Sequence, residues 1–254
     1  MKKLFFFLLA AFLFFSCSTV PQKTVNENEN YNWKSESFEL NTENQAFSAE
    51  GEVTMWINVE QFKGRFSGDY QILSASPEKW RMIITGPFNI SVATVVINGE
   101  NSFIFHEGVW DAAPWREISK QLFNAPVDGD VFSVMLGGRF RFEGECASIG
   151  IGSKLCRKNG IYYKISKGKV VEIISGDLYI VSETKLVLTG RKRSRKGAPK
   201  RSHATLKTGV RWTGVANGKN AFIFENASIK SKTALDDSLF APPSADEKDE
   251  FDEL

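Results

Sequence analysis

The stretch FSAEGEVTMWINV, residues 47–59, alternates apolar or small side chains with polar ones along almost its whole length. Apolar residues or glycine occupy the odd positions from Phe47 to Val59, and polar residues occupy the even positions except for Trp56. A period of two puts successive side chains on opposite faces of a β-strand. The pattern therefore predicts a long strand that is buried on one face, and a fold built around a sheet.

Shorter strand-like runs follow this strand, with Gly, Asn and Pro between them. The runs before the middle of the chain are 66–73, 80–85, 90–98 and 102–106. Those in the second half are 139–143, 161–165, 170–174, 178–181, 185–189, 204–207, 210–213, 221–225 and 228–230. Lys167-Gly168 and Asn217-Gly218 are typical hairpin turns. This spacing predicts an antiparallel meander.

Two helices are predicted between the two sets of strands. Pro114 suits a first helical position, and Trp115, Ile118 and Leu122 recur at helical spacing after it. A second helix is predicted to begin near Asp128 or Asp130 and to end at Gly137-Gly138. We therefore expect a mainly β protein: a strongly curved antiparallel sheet, an unclosed half-barrel of about 11–13 strands, with helices closing its concave face.

The amino terminus has the form of a bacterial lipoprotein signal. Lys2 and Lys3 precede an apolar run at residues 4–15, and Ser16 stands directly before Cys17. As a helix the run would span about 18 Å, too short for a hydrocarbon core of about 30 Å. Cleavage would leave Cys17 to be lipidated; the alternative is an ordinary secretory signal with an incidental cysteine. By resemblance to Gram-negative sorting rules, the next residue, Ser18, implies a periplasm-facing position at the outer membrane.

The composition divides the rest of the chain. We expect residues 1–16 to be the signal peptide and 17–45, which are poor in apolar side chains, to be a flexible lipidated tether. We expect residues 46–243 to form one domain and 244–254 to form an acidic disordered tail. The basic run within 191–201 contains Gly197 and Pro199, which predict a loop. Three roles are open for its charges: they are simply solvated, they contact lipid phosphates, or they pair with the acidic tail.

Cys146 and Cys156 remain as a pair once Cys17 is assigned to lipid. In an oxidising compartment we expect a disulfide between them, the alternative being two buried free thiols.

Catalysis, metal binding and cofactor binding have little support in the sequence. The histidines are His106 and His203, and no nucleophile motif, metal-ligand spacing or phosphate-binding glycine loop accompanies them. Nucleic acid is a poor fit, because aromatic residues do not interleave with the basic run. We expect no enzyme activity and no cofactor.

The order of features resembles the LolB family, outer-membrane receptors that accept lipoproteins from the periplasmic carrier LolA and insert them into the membrane. The resemblance covers residues 47 to about 230. It rests on the lipoprotein anchor, the alternating first strand, the segment Thr85-Gly86-Pro87-Phe88 and the helix end Met135-Leu136-Gly137-Gly138. The cysteine pair, the basic connection and the acidic tail depart from the family pattern.

An apolar cavity for acyl chains of lipoproteins or phospholipids is what this resemblance implies, with a LolA-like carrier as a partner. The expected lining comes from one face of the early strands and from the helices: Val53, Met55, Ile57, Phe66, Tyr70, Ile72, Trp80, Met82, Ile84, Phe103, Phe105, Trp115 and Leu122. The alternative is that these side chains fill a solid core, in which case the protein is a scaffolding lipoprotein of the envelope.

The loop Gly86, Pro87 and Phe88 is the predicted membrane-insertion element. Pro87 stiffens a turn whose next residue is large and apolar where polar residues are usual. An exposed Phe at a loop tip can wedge into a bilayer, and the LolB family has an apolar residue with this role in the corresponding loop. The alternative is that Phe88 folds back onto the core.

Overall fold

The computed structural model describes residues 30–58, 63–87, 90–99, 101–106, 108–189, 205–232 and 234–241. Fourteen strands form one sheet in this part of the chain. They are β1 (Lys34–Leu40), β2 (Ala46–Asn58), β3 (Lys63–Ser76), β4 (Lys79–Thr85), β5 (Ser91–Asn98), β6 (Asn101–His106), β7 (Val109–Ala112), β8 (Phe140–Gly150), β9 (Ser153–Lys158), β10 (Ile161–Ser166), β11 (Lys169–Ser175), β12 (Leu178–Thr189), β13 (Thr205–Ala216) and β14 (Lys219–Lys232). The helices are α1 (Trp115–Phe123) and α2 (Gly129–Met135).

The sheet is open and antiparallel, with β1 and β7 at its two edges. Its strand order is β1-β8-β9-β10-β11-β12-β13-β14-β2-β3-β4-β5-β6-β7. The predicted fold class is confirmed, and the strand count exceeds the expected range. The strands predicted from the sequence do not include β1, β7 or β9. Each of β12, β13 and β14 was predicted as two shorter strands. Both predicted hairpin turns have positive φ at each residue: 50° and 74° at Lys167 and Gly168, and 50° and 71° at Asn217 and Gly218.

β1 corrects the predicted extent of the tether, because ordered structure starts well before residue 46. The strand pairs with β8, placing Leu40 opposite Phe140. Its Phe38 ring stacks on Phe142 with centroids 4.9 Å apart. Just before the strand, the Arg157 guanidinium lies 4.5 Å from the Trp33 ring centroid. Few apolar residues therefore suffice for order where a neighbouring strand supplies the hydrogen bonds.

Close backbone approaches occur where strands carry glycine. A Cβ on Gly51 would lie 1.9 Å from the carbonyl oxygen of Glu225, and one on Gly68 would lie 2.1 Å from that of Thr85. No other residue type fits such an approach without a shift of the backbone. The long early strands thus depend on glycine to pack against their neighbours.

The predicted face of β2 is buried: Phe47, Ala49, Val53 and Met55 are each at most 3% exposed. The two helices pack over this face of the sheet. The Asp128 side chain caps α2 by accepting from the Asp130 amide at 2.9 Å. None of the described helices is long and apolar enough to cross a membrane.

A short 3-10 turn, Asp237–Phe240, packs on β4 and β5 near the end of the described chain. Phe240 is fully buried there. The Lys79 ammonium lies 2.6 Å from the Asp237 carboxylate, and Arg81 Nη1 donates to the Leu239 carbonyl oxygen at 3.4 Å. Burial lowers the pKa of Arg81. Because Arg81 alternates with the core residue Met82, this turn covers the other face of the sheet.

Candidate functional site

Most of the residues predicted to line a cavity are brought together, as expected, on the helix-covered face of β2, β3 and β4. Val53, Met55, Tyr70, Ile72, Trp80, Met82 and Ile84 are each at most 2% exposed. Leu122 joins the same core, and Ile57, Phe66 and Trp115 pack against it while partly buried. The sequence therefore identified one wall of the interior.

Aromatic side chains occupy the space that this wall faces. The Phe132 ring centroid lies 4.9 Å from that of Trp80 and 5.6 Å from that of Phe224. Phe123 lies 5.4 Å from Phe222. Rings at these separations are in packing contact. This wall therefore faces a filled core and not an open cavity, because aromatic side chains of both helices and of β14 pack together in front of it.

Phe103 and Phe105 correct the predicted lining. Both lie on the face of β6 opposite to Ile104, which is 5% exposed and belongs to the core. The Phe105 ring instead packs on Trp110 of β7 at 5.2 Å. The run Phe103-Ile104-Phe105 is apolar at every position, so periodicity could not decide which face is buried.

The predicted insertion loop is only partly described. Phe88 lies outside the described residues, so its wedge role stays a prediction. Gly86 is half-buried, and its N–H donates to the Ile90 carbonyl oxygen at 2.8 Å. Pro87 is exposed, and Ile90 is 63% exposed.

A cavity of about 450 Å³ lies further along the same face of the sheet, and we call it the β11–β14 cavity. Strands β11 to β14 form one side, and α2, the end of β1 and residues 41–44 form the other. Its apolar lining comprises Leu40, Val134, Met135, Phe140, Val170, Val171, Val210, Trp212 and Ile229. The sequence does not indicate this cavity, because one of its walls comes from β1, a segment predicted to be part of the tether.

Hydrogen bonds hold the wall of this cavity in place. Asn226 Nδ2 donates to the Met135 carbonyl oxygen at 2.9 Å, and its Oδ1 accepts from the Tyr70 hydroxyl. Burial, with a smaller contribution from the charge of Glu50, raises the pKa of Tyr70. Tyr70 therefore stays protonated as a donor. Asn44 Nδ2 donates to the Gly137 carbonyl oxygen at 2.8 Å, which fixes residues 41–44 over the end of α2.

A second cavity, of about 320 Å³, adjoins the first at Leu40. Its lining includes Phe38, Ile165 and Lys154, with glycines from two hairpin turns. Both cavities thus lie at the end of the interior where β1 crosses. Together they offer a partly apolar space on one side of the filled core.

A third cavity, of about 510 Å³, has a different character and location. Turn residues line much of it, among them Asp128, Asn159, Asp177 and Asn217. Burial, followed by the charges of Asp128 and Asp130, raises the pKa of Tyr163 near this region. Its polar wall is a poor match for an acyl chain. No cluster of three His, Cys, Asp or Glu side chains able to hold a metal occurs in the described ranges.

Cys146 and Cys156 are joined by a disulfide between β8 and β9. The two half-cystines face each other across the strand pair, and both are at most 1% exposed. The bond cross-links the two strands of the β8–β9 hairpin.

Two solved structures are among those to which the chain is similar. One is a LolA superfamily protein from Nitrosomonas europaea, 11% identical, matched over 79% of this chain and 91% of that chain with a TM-score of 0.43. The other is a putative outer membrane lipoprotein-sorting protein domain from Vibrio parahaemolyticus, 7% identical, matched over 77% and 88% with a TM-score of 0.36. No protein-family profile and no curated protein sequence matches the chain. The narrower resemblance to LolB receptors stays a prediction.

Proposed function

We propose that this chain is a lipid-anchored envelope protein that takes acyl chains of lipoproteins or phospholipids into the β11–β14 cavity and releases them without catalysis. The observation that carries the proposal is the cavity itself. Its volume of about 450 Å³ falls within the range of about 300–1,000 Å³ that small-ligand sites occupy. Nine of its eighteen lining residues are aliphatic or aromatic, and they offer a contact surface for a hydrocarbon chain.

The polar groups of the cavity lie where a lipid headgroup would remain in water. Lys169, Glu43 and Glu183 are exposed and line the same cavity as the buried Trp212. A chain could therefore enter past polar residues while its methylenes contact the apolar wall. This arrangement separates the two ends of an amphipathic ligand.

Transfer of such a ligand requires little energy. Each buried methylene contributes about 0.8 kcal/mol, so burying a sixteen-carbon chain stabilises the complex by on the order of 10 kcal/mol relative to water. A bilayer interior offers a similar gain. Movement between the cavity and a membrane is therefore nearly balanced, and a small bias sets its direction without ATP.

The cavity assignment can be tested by filling it. Val210, which is 37% exposed, lines the cavity, and Val210→Trp would put an indole into it. Val109→Trp is the matched control, since Val109 is 57% exposed and lines none of the three cavities. We expect Val210→Trp to weaken binding of a fluorescent fatty acid by about tenfold or more, because a mis-sized apolar site costs about 1–3 kcal/mol. Equal binding by both variants would contradict the assignment.

The finer proposal is that the protein acts at the outer membrane as an acceptor of lipoproteins from a periplasmic LolA-like carrier. The predicted lipidation at Cys17 and the following Ser18 support it. A purified carrier loaded with a labelled acylated lipoprotein should pass its cargo to this protein in vitro. Retention of the cargo on the carrier would contradict the acceptor role while leaving lipid binding intact.

A scaffolding lipoprotein is the second candidate, and the filled core favours it. Met82 and Ile84, in the wall that was predicted to line a cavity, are fully buried, and the packing in front of them leaves no space for a ligand. In that case the β11–β14 cavity holds water, and neither tryptophan variant changes lipid content. The same fatty-acid titration therefore separates the two candidates.

A further inference from the structure

The hairpin between β8 and β9 ends in an apolar tip. Ile151 is fully exposed between Gly150 and Gly152, and Ile149 on the same hairpin is 37% exposed. Hairpin turns normally carry polar residues. Two neighbouring exposed isoleucines at a tip therefore indicate a surface that meets something apolar.

The neighbouring hairpin turn is bound to this tip. The Lys167 N–H donates to the Gly152 carbonyl oxygen at 2.9 Å, and Ser153 and Ser166 are joined through their hydroxyls at 3.2 Å. The two turns thus form one edge. We call residues 149–153 and 166–169 the Ile151 rim.

Cationic side chains surround the apolar tip. Lys167 and Lys169 belong to the rim and are exposed. Lys154, next to the rim, is 48% exposed at its side chain and pairs with Glu36. The rim itself contains no carboxylate. Its combination of isoleucine and lysine suits an interface with an apolar interior and an anionic surface.

The rim also belongs to the wall of the second cavity, through Gly150, Gly152 and Gly168. That cavity adjoins the β11–β14 cavity at Leu40. Lys169 of the rim lines the larger cavity together with Glu43 and Glu183. A partner seated on the rim would therefore lie beside the apolar space.

We propose that the Ile151 rim docks on an anionic phospholipid bilayer, with Ile151 and Ile149 at the headgroup–acyl boundary and Lys167 and Lys169 on the phosphates. Basic residues near an anionic membrane surface are attracted to it, and an exposed aliphatic side chain gains by leaving water. The rim shares Lys169 with the β11–β14 cavity, but docking of the rim does not require a chain in that cavity. It orients the protein on the membrane to which its anchor attaches it.

This orientation is opposite to the one expected from the Phe88 loop. Along an antiparallel sheet, successive turns alternate between the two ends of the strands. The turn after β4 and the turn after β8 fall at opposite ends in the observed strand order. Ile90 marks the end beside Phe88, and Ile151 marks the other. A probe at each position reads which end meets the membrane.

The test uses the full lipidated chain in vesicles of phosphatidylglycerol and phosphatidylcholine. Ile151→Cys and Ile90→Cys are each labelled with an environment-sensitive fluorophore. The unsubstituted chain serves as the labelling blank, because Cys146 and Cys156 are bonded. We expect the Ile151 label to shift to the blue and to be quenched by lipids with bromine on their acyl chains, and the Ile90 label to stay as in buffer.

A charge test accompanies it. Combining Ile151→Cys with Lys167→Gln and Lys169→Gln should reduce the blue shift in anionic vesicles and change it little in pure phosphatidylcholine. An unshifted Ile151 label, a shift at Ile90 alone, or equal shifts at both positions would overturn the proposal. A shift without vesicles that grows with protein concentration would also overturn it, since it would show that a second copy covers the rim.

Discussion

Replacing Ile84 by alanine asks directly whether the early strands face a packed core or an open cavity. Ile84 is fully buried and was expected from the sequence to line a cavity. In a packed core, Ile→Ala removes buried methylenes and leaves a void, which costs about 2–5 kcal/mol. For a domain of this size, 1 kcal/mol shifts the thermal midpoint by about 2–4 °C. We therefore expect Ile84→Ala to lower the midpoint by roughly 4–20 °C.

Ile229→Ala is the matched control. Ile229 is 37% exposed and lines the β11–β14 cavity, so its truncation should cost about 1 kcal/mol or less. The assay is thermal and urea unfolding of both variants, each followed by circular dichroism, with fatty-acid binding measured in parallel. Ile84→Ala should lose stability and keep binding, whereas Ile229→Ala should keep stability and alter binding. A loss below about 1 kcal/mol for Ile84→Ala, together with altered binding, would refute the filled core.

Further predictions concern the anchor, the loop and the buried tyrosine. Cys17→Ser should leave the protein unprocessed or mislocalised in cell fractionation, with the domain still folded; normal processing would contradict the lipidation site. Phe88→Glu should change the unfolding free energy by less than about 0.5 kcal/mol if the residue is an exposed loop tip. With the Ile151 rim on the membrane, Phe88→Glu should still deliver a labelled lipoprotein to liposomes, and lost delivery would restore the wedge role. Tyr70→Phe should cost about 1–3 kcal/mol, because it leaves the buried Asn226 Oδ1 without its donor. The raised pKa of Tyr70 contributes stability below the unfolded value of about 10 that is lost as pH rises above it, so the alkaline fall in urea stability should be shallower in Tyr70→Phe.

The fold class could be predicted because alternation decides which face of a strand is buried. Residues 47–59 showed it clearly, and the observed β2 buries the expected face. β1 lacked such a signal, since its order depends on pairing with β8, which is distant in sequence. β9 was hidden for a related reason: Leu155 and Cys156 are adjacent in sequence and both are buried. Strict alternation fails at such a strand.

The position of the cavity could not be predicted from the sequence. Whether a wall of apolar residues is open or filled depends on what reaches it from the helices. Here Phe123 and Phe132 project onto the sheet and fill the space that the resemblance assigned to acyl chains. The open space is lined instead by Trp212 and Leu40. These two residues are far apart in sequence, and the strand order of the whole sheet brings them to one cavity. Such long-range contacts have no local sequence signal.

Organic extraction of the protein purified from membranes, with mass spectrometry of the extract, shows whether the folded domain binds acyl-bearing lipid. The predicted anchor at Cys17 is covalent and stays on the chain during extraction. Comparison of variants purified in the same way separates lipid held in the cavity from membrane lipid carried over with the protein. We expect acyl-bearing lipid in near-stoichiometric amount from the unsubstituted chain and from Val109→Trp, and a strongly reduced amount from Val210→Trp. A lipid-free unsubstituted chain, or an equal yield from Val210→Trp, would contradict the proposal that the β11–β14 cavity holds acyl chains.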